Sequence, residues 1–293
     1  MFFFEPNAIA YSPINAIGLA QAARLAYLNP FAIASTVHTW QFTNFHFFEQ
    51  RATQAFMMSN DQVIILAFRG TEARCLKDWM TDADITLIKA CGGRVHRGFS
   101  SGLEAVWQDI LTQFQRLRTQ NQTLFITGHS LGAALATLAA AKFAALGQAV
   151  RGLYTFGSPR VGCPEFASVF NQAFQNRAFR FVNHNDVVTR VALRSLGYDH
   201  VGKCLYFDAE GRLHEEIEFW RQFLDSVTGG MADFLNACGI VSDHNMAEYE
   251  RNLIFNRQEA NFSTQEISTQ ERKGTRGFTK PLQATLAVSA RAA

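Results

Sequence analysis

The chain has 293 residues, of which 48% are hydrophobic and 18% charged, with a formal net charge of +2. Such a length suits a single large α/β domain with ample apolar surface for a packed core. No block of Lys or Arg stands out, so nothing calls for a nucleic-acid partner or an anionic surface.

The start, Met1-Phe-Phe-Phe-Glu5-Pro6, lacks a basic region and breaks its apolar run at Glu5, unlike a secretory signal. The expected location is therefore cytoplasmic, or outside the cell by another route. No run of 18 apolar residues is present, so no transmembrane segment is expected. Cys75, Cys91, Cys163, Cys204 and Cys238 are scattered and odd in number, which argues for reduced thiols. The 27 phenylalanines read first as an aromatic core, with a greasy substrate cleft as a second use.

Ser12-Pro13 is an N-cap followed by Pro at the first helical position, opening an Ala-rich helix to about Leu28, ahead of Asn29-Pro30. Strand-like segments follow at Phe42 to Phe48, Thr53 to Met58 and Gln62 to Phe68, the last two joined by Ser59-Asn60-Asp61. The run from Val63 to Phe68 is apolar at every position, as in a strand covered on both faces. Between Phe99 and Leu117, apolar residues fall at steps of three and four, from Leu103 through Val106, Trp107, Ile110, Leu111 and Phe114 to Leu117, the pattern of an amphipathic helix. Then come a strand at Leu124 to Thr127, a helix from Ser130 to about Leu146, a strand at Gly152 to Phe156, a helix near Pro164 to Phe174 and a strand at Ala178 to Val182. This alternation implies right-handed crossovers and a mostly parallel sheet between helices. No linker divides residues 1–257, whereas 258–293, rich in Ser, Thr, Gln, Glu and Arg, reads as a loosely attached tail.

The strongest motif is Gly128-His129-Ser130-Leu131-Gly132, set between a buried strand and a helix. A nucleophile elbow needs that setting, because the serine takes a strained conformation and its neighbours two residues away must be tiny. The helix N-terminus behind Ser130 also offers positive dipole and free N–H groups to a developing oxyanion. A serine hydroxyl needs a base, and in this arrangement the partners follow in the order Ser, acid, His. Asp186 stands just past Phe179-Arg180-Phe181-Val182-Asn183, at the C-terminal end of a strand, where α/β sheets carry their sites. Asp208, in the turn Asp208-Ala-Glu-Gly211, is the weaker acid. His200, His214 and His244 are the downstream histidines. His244, in a loop ahead of a helix with Met246, Tyr249 and Leu253 on one face, is favoured over His200, and His129 points away from its neighbour Ser130 at a sharp turn.

In their order, Phe68-Arg69-Gly70-Thr71, Val95-His96-Arg97-Gly98-Phe99, Ile126 through Ala134, Thr155 through Gly162, Phe181 through Val188 and Asp243-His244-Asn245-Met246 resemble the class 3 lipases, the family of the filamentous-fungal triacylglycerol lipases and their bacterial and plant relatives. The resemblance spans roughly Val63 to Leu253 and implies an α/β-hydrolase fold with an N-terminal helix, antiparallel strands and a short lid helix. It makes Ser130 the nucleophile, Asp186 the acid and His244 the base. It also assigns the oxyanion hole to the backbone N–H groups of Thr71 and Leu131, with the Thr71 hydroxyl adding a bond. One departure is visible: the family often carries Pro shortly after the acid, whereas here Val191 leads into Ala192-Leu193.

The family's lid corresponds to Ala73 through Asp82, where Cys75, Leu76, Trp79 and Met80 share one helical face. The implied activity is serine ester hydrolysis of a lipid at a lipid–water interface, first as a triacylglycerol lipase. The alternatives are a phospholipase A1, a short-chain carboxylesterase, or a lipid-binding protein of the same fold. No cofactor or metal is implied, since histidines and carboxylates do not cluster with ligand spacing. Oligomeric state is not readable from the chain.

Overall fold

The computed structural model describes residues 2–72, 85–118, 122–191, 194–215 and 243–275, with side chains described to residue 260. The strands are β1 (Asn44–Gln50), β2 (Thr53–Ser59), β3 (Val63–Phe68), β4 (Leu87–Ala90), β5 (Gly93–His96), β6 (Thr123–His129), β7 (Val150–Phe156), β8 (Ala178–Asn183), β9 (Lys203–Phe207) and β10 (Leu213–His214). The helices, in chain order, are α1 (Pro13–Leu25), α2 (Pro30–Thr39), α3 (Arg97–Leu117), α4 (Leu131–Ala145), α5 (Pro164–Ala173) and α6 (Met246–Thr275).

One sheet runs in the order β1-β2-β3-β6-β7-β8-β9-β10, and β4 pairs separately with β5. Pairing is antiparallel through β1, β2 and β3, parallel from β3 through β9, and antiparallel again at β10. The parallel core puts the C-terminal ends of β3, β6, β7 and β8 along one edge, where Thr71, Ser130 and Asp186 follow the ends of β3, β6 and β8. This is the α/β-hydrolase architecture, a mostly parallel sheet flanked by helices.

The apolar run in β3 splits by strand alternation. Ile64, Leu66 and Phe68 join a core with α3, α4 and α5, while Val63, Ile65 and Ala67 join a second core with α1 and the start of α6. With both faces covered, each Leu or Ile contributes roughly 1.5–3 kcal/mol of burial, and no position along β3 has a solvent face for a polar residue. The phenylalanines of the described residues are mostly core: Phe156, Phe181 and Phe207 stack across β7, β8 and β9 at centroid spacings of 5.0 and 6.0 Å. Phe3, Phe31 and Phe255 are exposed.

Ser12 caps α1 by accepting the Asn15 N–H at 3.1 Å. Its helix ends at Leu25, three residues short of the expected stop. The sequence reading missed α2. Asn29-Pro30 ends the first helix and also opens the second, with the Asn29 side chain accepting the Ala32 N–H at 2.9 Å. It also missed the β4–β5 hairpin, whose turn holds Cys91 and Gly92 at positive φ of 50° and 81°. At the turn after β2, the Asn60 side chain accepts the N–H groups of Gln62 and Val63, each at 3.0 Å.

The chain separates into two units, Met1–Asn256 and Arg257–Ala293. Helix α6 continues past Gln258 to Thr275, where the sequence suggested a loose tail. Among the described residues no helix is long and apolar enough to cross a membrane, and Cys91, Cys163 and Cys204 are free thiols.

Candidate active site

The site is built around the sharp turn between β6 and α4. Strand β6 ends at His129, α4 begins at Leu131, and Ser130 between them has φ 59° and ψ −128°. A non-glycine residue held there stores of order 1–3 kcal/mol of strain. The Ser130 N–H donates to the Phe156 carbonyl at 3.0 Å, and its own carbonyl accepts the Ala133 N–H at 2.9 Å, so neighbouring backbone fixes the turn. A Cβ at Gly128 would overlap the Gly132 carbonyl and reach Ala133 N at 2.8 Å; one at Gly132 would overlap the Phe68 carbonyl and reach the Arg69 carbonyl carbon at 2.8 Å. Both obstacles are main chain, which no rotamer change can clear.

Asp186 follows β8 and opens a 3-10 turn, Val187–Arg190. Its carboxylate is 1% exposed, yet amply hydrogen-bonded. The Val188 N–H donates to Oδ1 at 2.9 Å, the Tyr249 hydroxyl donates to Oδ2 at 2.5 Å, and His244 Nδ1 lies 2.8 Å from Oδ2 and 2.9 Å from Oδ1. Buried carboxylates persist only with such donors. Since a carboxylate accepts, Nδ1 carries the proton and His244 presents Nε2 as its free ring atom. Among the described residues, the buried Ser130 Oγ and His244 Nε2 have no hydrogen-bond partner. Orphaned buried polar atoms are rare in folded proteins and call for an explanation, a catalytic role being one.

The loop carrying His244 is tied to β8 by Asn183, whose side-chain nitrogen donates to the Asp243 carbonyl at 2.9 Å and whose side-chain oxygen accepts from Asn252 at 3.0 Å. Gly157, just after β7, lies under this pair: a Cβ there would sit 2.7 Å from Asp186 Oδ2 and 2.9 Å from His244 Nδ1. Gly70, after β3, packs against Ser130, with an added Cβ reaching the serine Cβ at 3.1 Å. Thr71 therefore follows directly on the serine's neighbour. Leu131 is the first residue of α4, so its N–H is among those without an intrahelical acceptor.

The other candidates are occupied elsewhere. Asp208 binds its own turn through Glu210 N–H and Arg212 N–H, at 3.0 and 2.8 Å, and pairs with His214 at 2.8 Å across the β9–β10 hairpin. His200 is half-buried, and first its desolvation, then Arg180 and Arg160, hold its protonation well below the ordinary histidine range. His129 lies with its ring 4.4 Å from the His244 ring. Burial, and then the His244 beside it, push its protonation well below the usual range. The proposed lid residues Leu76, Trp79 and Met80 lie outside the described residues. Sequence reasoning placed Tyr249 on an apolar helix face and gave Asn183 no role. The available signal for Tyr249 was chemical: a buried tyrosine needs a partner for its hydroxyl.

Two histidines whose protonation the fold suppresses have a consequence for stability. The unfolded chain takes up protons at both near pH 6.5, while the folded chain does not, so stability falls as pH drops through and below that value. Urea unfolding between pH 7 and 5 is expected to show up to two extra protons bound on unfolding, and His200→Leu should remove about one. A flat profile would mean that both rings charge inside the fold.

Comparison with known proteins finds relatives in sequence and in fold. The model of the family described as Lipase (class 3) matches residues 65–196. The secreted mono- and diacylglycerol lipase A of Penicillium cyclopium is 37% identical over 146 residues, 48% of this chain and 47% of that one. The triacylglycerol lipase OBL1 of Arabidopsis thaliana is 28% identical over 249 residues, 64% of this chain and 48% of its own. Phospholipase A1-II 1 of Oryza sativa subsp. indica is 33% identical over 172 residues, 50% of this chain and 43% of its own. Thus the chain spans about half the length of the curated relatives it matches. Among solved structures, a single-residue mutant of the Penicillium cyclopium lipase aligns with a TM-score of 0.55 at 26% identity, over 66% of this chain and 79% of that one. Matched motifs, sheet order and structural neighbours converge: across residues 65–196 the chain is similar to the class 3 lipases, and its fold is that of the fungal lipase structures.

Proposed function

We propose that the protein is a serine carboxylic-ester hydrolase of acylglycerols, foremost a triacylglycerol lipase, working through an acyl-enzyme on Ser130. The observation that carries this reading is the bond from His244 Nδ1 to the buried Asp186 carboxylate, which leaves Nε2 as the free ring nitrogen, buried without a hydrogen-bond partner among the described residues, as is the hydroxyl of the strained Ser130.

In the first half-reaction Ser130 Oγ attacks the ester carbonyl carbon and its proton passes to His244 Nε2. Asp186 holds the ring in the Nδ1–H form and stabilises the imidazolium. The tetrahedral oxyanion is received by the N–H groups of Thr71 and Leu131, at the end of β3 and the start of α4. Collapse expels the alcohol, which takes the proton from Nε2. Water, deprotonated by the same nitrogen, then releases the fatty acid and restores the serine.

Acylglycerols come first because the Penicillium and Arabidopsis relatives are named for them. The rice relative, named a phospholipase A1, supports a second reading with identical chemistry at a phospholipid sn-1 ester. The test is a fluorophosphonate probe followed by peptide mapping, together with rates on emulsified triacylglycerol, diacylglycerol and phosphatidylcholine. Labelling at Ser130 with the fastest turnover on the neutral glycerides is expected. Labelling with preference for phosphatidylcholine would select the phospholipase reading, and no labelling of Ser130 would end both.

A further inference from the structure

Three segments of the chain meet at His129. Its Nε2 is 2.8 Å from the His244 carbonyl oxygen and its Nδ1 is 2.8 Å from the Tyr27 hydroxyl. A carbonyl only accepts, so Nε2 bears the hydrogen; in the neutral ring Nδ1 then accepts, and Tyr27 donates to it. The Tyr27 hydroxyl also packs against Gly70, where an added Cβ would overlap it. Burial pushes the Tyr27 hydroxyl well above the ordinary tyrosine range, so it stays a donor. Both hydrogens in this series have a fixed direction: Tyr27 O–H to His129, and His129 N–H to the backbone of His244.

We propose that Tyr27 is a positioning residue which, through His129, holds the backbone of the base in register with the strand end carrying Thr71. The proposal rests on the hydrolase reading above and adds a residue from the segment after α1, outside the matched residues 65–196. Its chemical logic has two parts. The oxyanion donor at Thr71 and the proton acceptor on His244 must stay at fixed separation, because the oxyanion and the transferred proton flank the same carbon in the transition state. Also, the two imidazole rings are 4.4 Å apart and tilted by 32°, so a charge on His129 would oppose the imidazolium formed in every turnover. By donating to Nδ1, Tyr27 occupies the one ring atom at which His129 can take a proton.

The test is Tyr27→Phe, which keeps the aromatic ring beneath the Arg69 guanidinium, 5.7 Å away, and deletes the hydroxyl. The expected result is a kcat lower by about tenfold, the scale of one buried hydrogen bond, with KM within about twofold and fluorophosphonate labelling of Ser130 slowed in parallel. Tyr27→Phe combined with His129→Asn should cost no more than His129→Asn alone, since the two act in series. Nitrogen NMR of the unaltered protein supplies a check independent of folding: His129 is expected as the Nε2–H form at neutral pH. An unchanged kcat in Tyr27→Phe, full additivity in the double variant, or an Nδ1–H form of His129 would each overturn the proposal. An unchanged Tyr27→Phe beside an inert Ser130→Ala would sink this proposal alone, whereas an active Ser130→Ala would sink the hydrolase reading beneath it.

Discussion

Ser130→Ala is expected to lower kcat for ester hydrolysis by about 10⁶-fold while the protein remains folded. The loss is large because the acyl-enzyme route requires an oxygen at that position, and nothing adjacent can replace it. His129 is the nearest histidine in sequence, but both its ring nitrogens are engaged, by Tyr27 and by the His244 backbone. Folding should survive, because Ser130 holds the turn through its main chain and its hydroxyl has no hydrogen-bond partner among the described residues. Deleting an unpaired buried hydroxyl removes a polar burial cost, so the melting temperature should stay level or rise slightly. The measurement is kcat on a soluble p-nitrophenyl ester beside a thermal melt. Activity within tenfold of the unaltered enzyme would remove Ser130 from the chemistry.

Asp186→Asn is expected to reduce kcat by about 10⁴-fold. Asparagine has the same shape, and its carbonyl oxygen can keep the bond from Val188 N–H or from Tyr249. Its amide nitrogen, however, donates, and next to His244 it would favour the ring form with the hydrogen on Nε2. The base would then face the serine with an N–H in place of a lone pair. Crystals of this variant should show little movement of His244, which separates a wrong proton from a collapsed site. A variant with more than a tenth of normal kcat would show that the carboxylate charge is not needed. Tyr249 contributes on the same side: its hydroxyl, held well above its ordinary ionisation range by burial and then by the carboxylate beside it, remains a donor to Asp186.

Some of this architecture was legible because local rules decide it. Gly128 and Gly132 are dictated by backbone against backbone, so the elbow could be read from five letters and its flanking apolar runs. β3 announced its two covered faces by an unbroken apolar run. Asp186 could be singled out because it follows a strand in an alternating strand–helix series. Other features depend on contacts that sequence spacing does not encode. Nothing near Tyr27 in the chain shows that its hydroxyl reaches a histidine 102 residues later. Tyr249 occupies an apolar helix stripe where its ring belongs, and only the fold reveals the carboxylate at its tip. Helix α2 was missed for a different reason: Pro30 was read as the end of one helix, although the same residue starts another well.

Asn183 and Asp243 meet where a long excursion of chain departs and returns. Asp186 stands three residues beyond one side of that clasp and His244 one residue beyond the other, so each is held by backbone anchored next to it. Between the two anchors the chain also adds β9 and β10 to the sheet, with Leu205 and Phe207 buried in the core shared with α1, so packing as well as the clasp fixes where the chain returns.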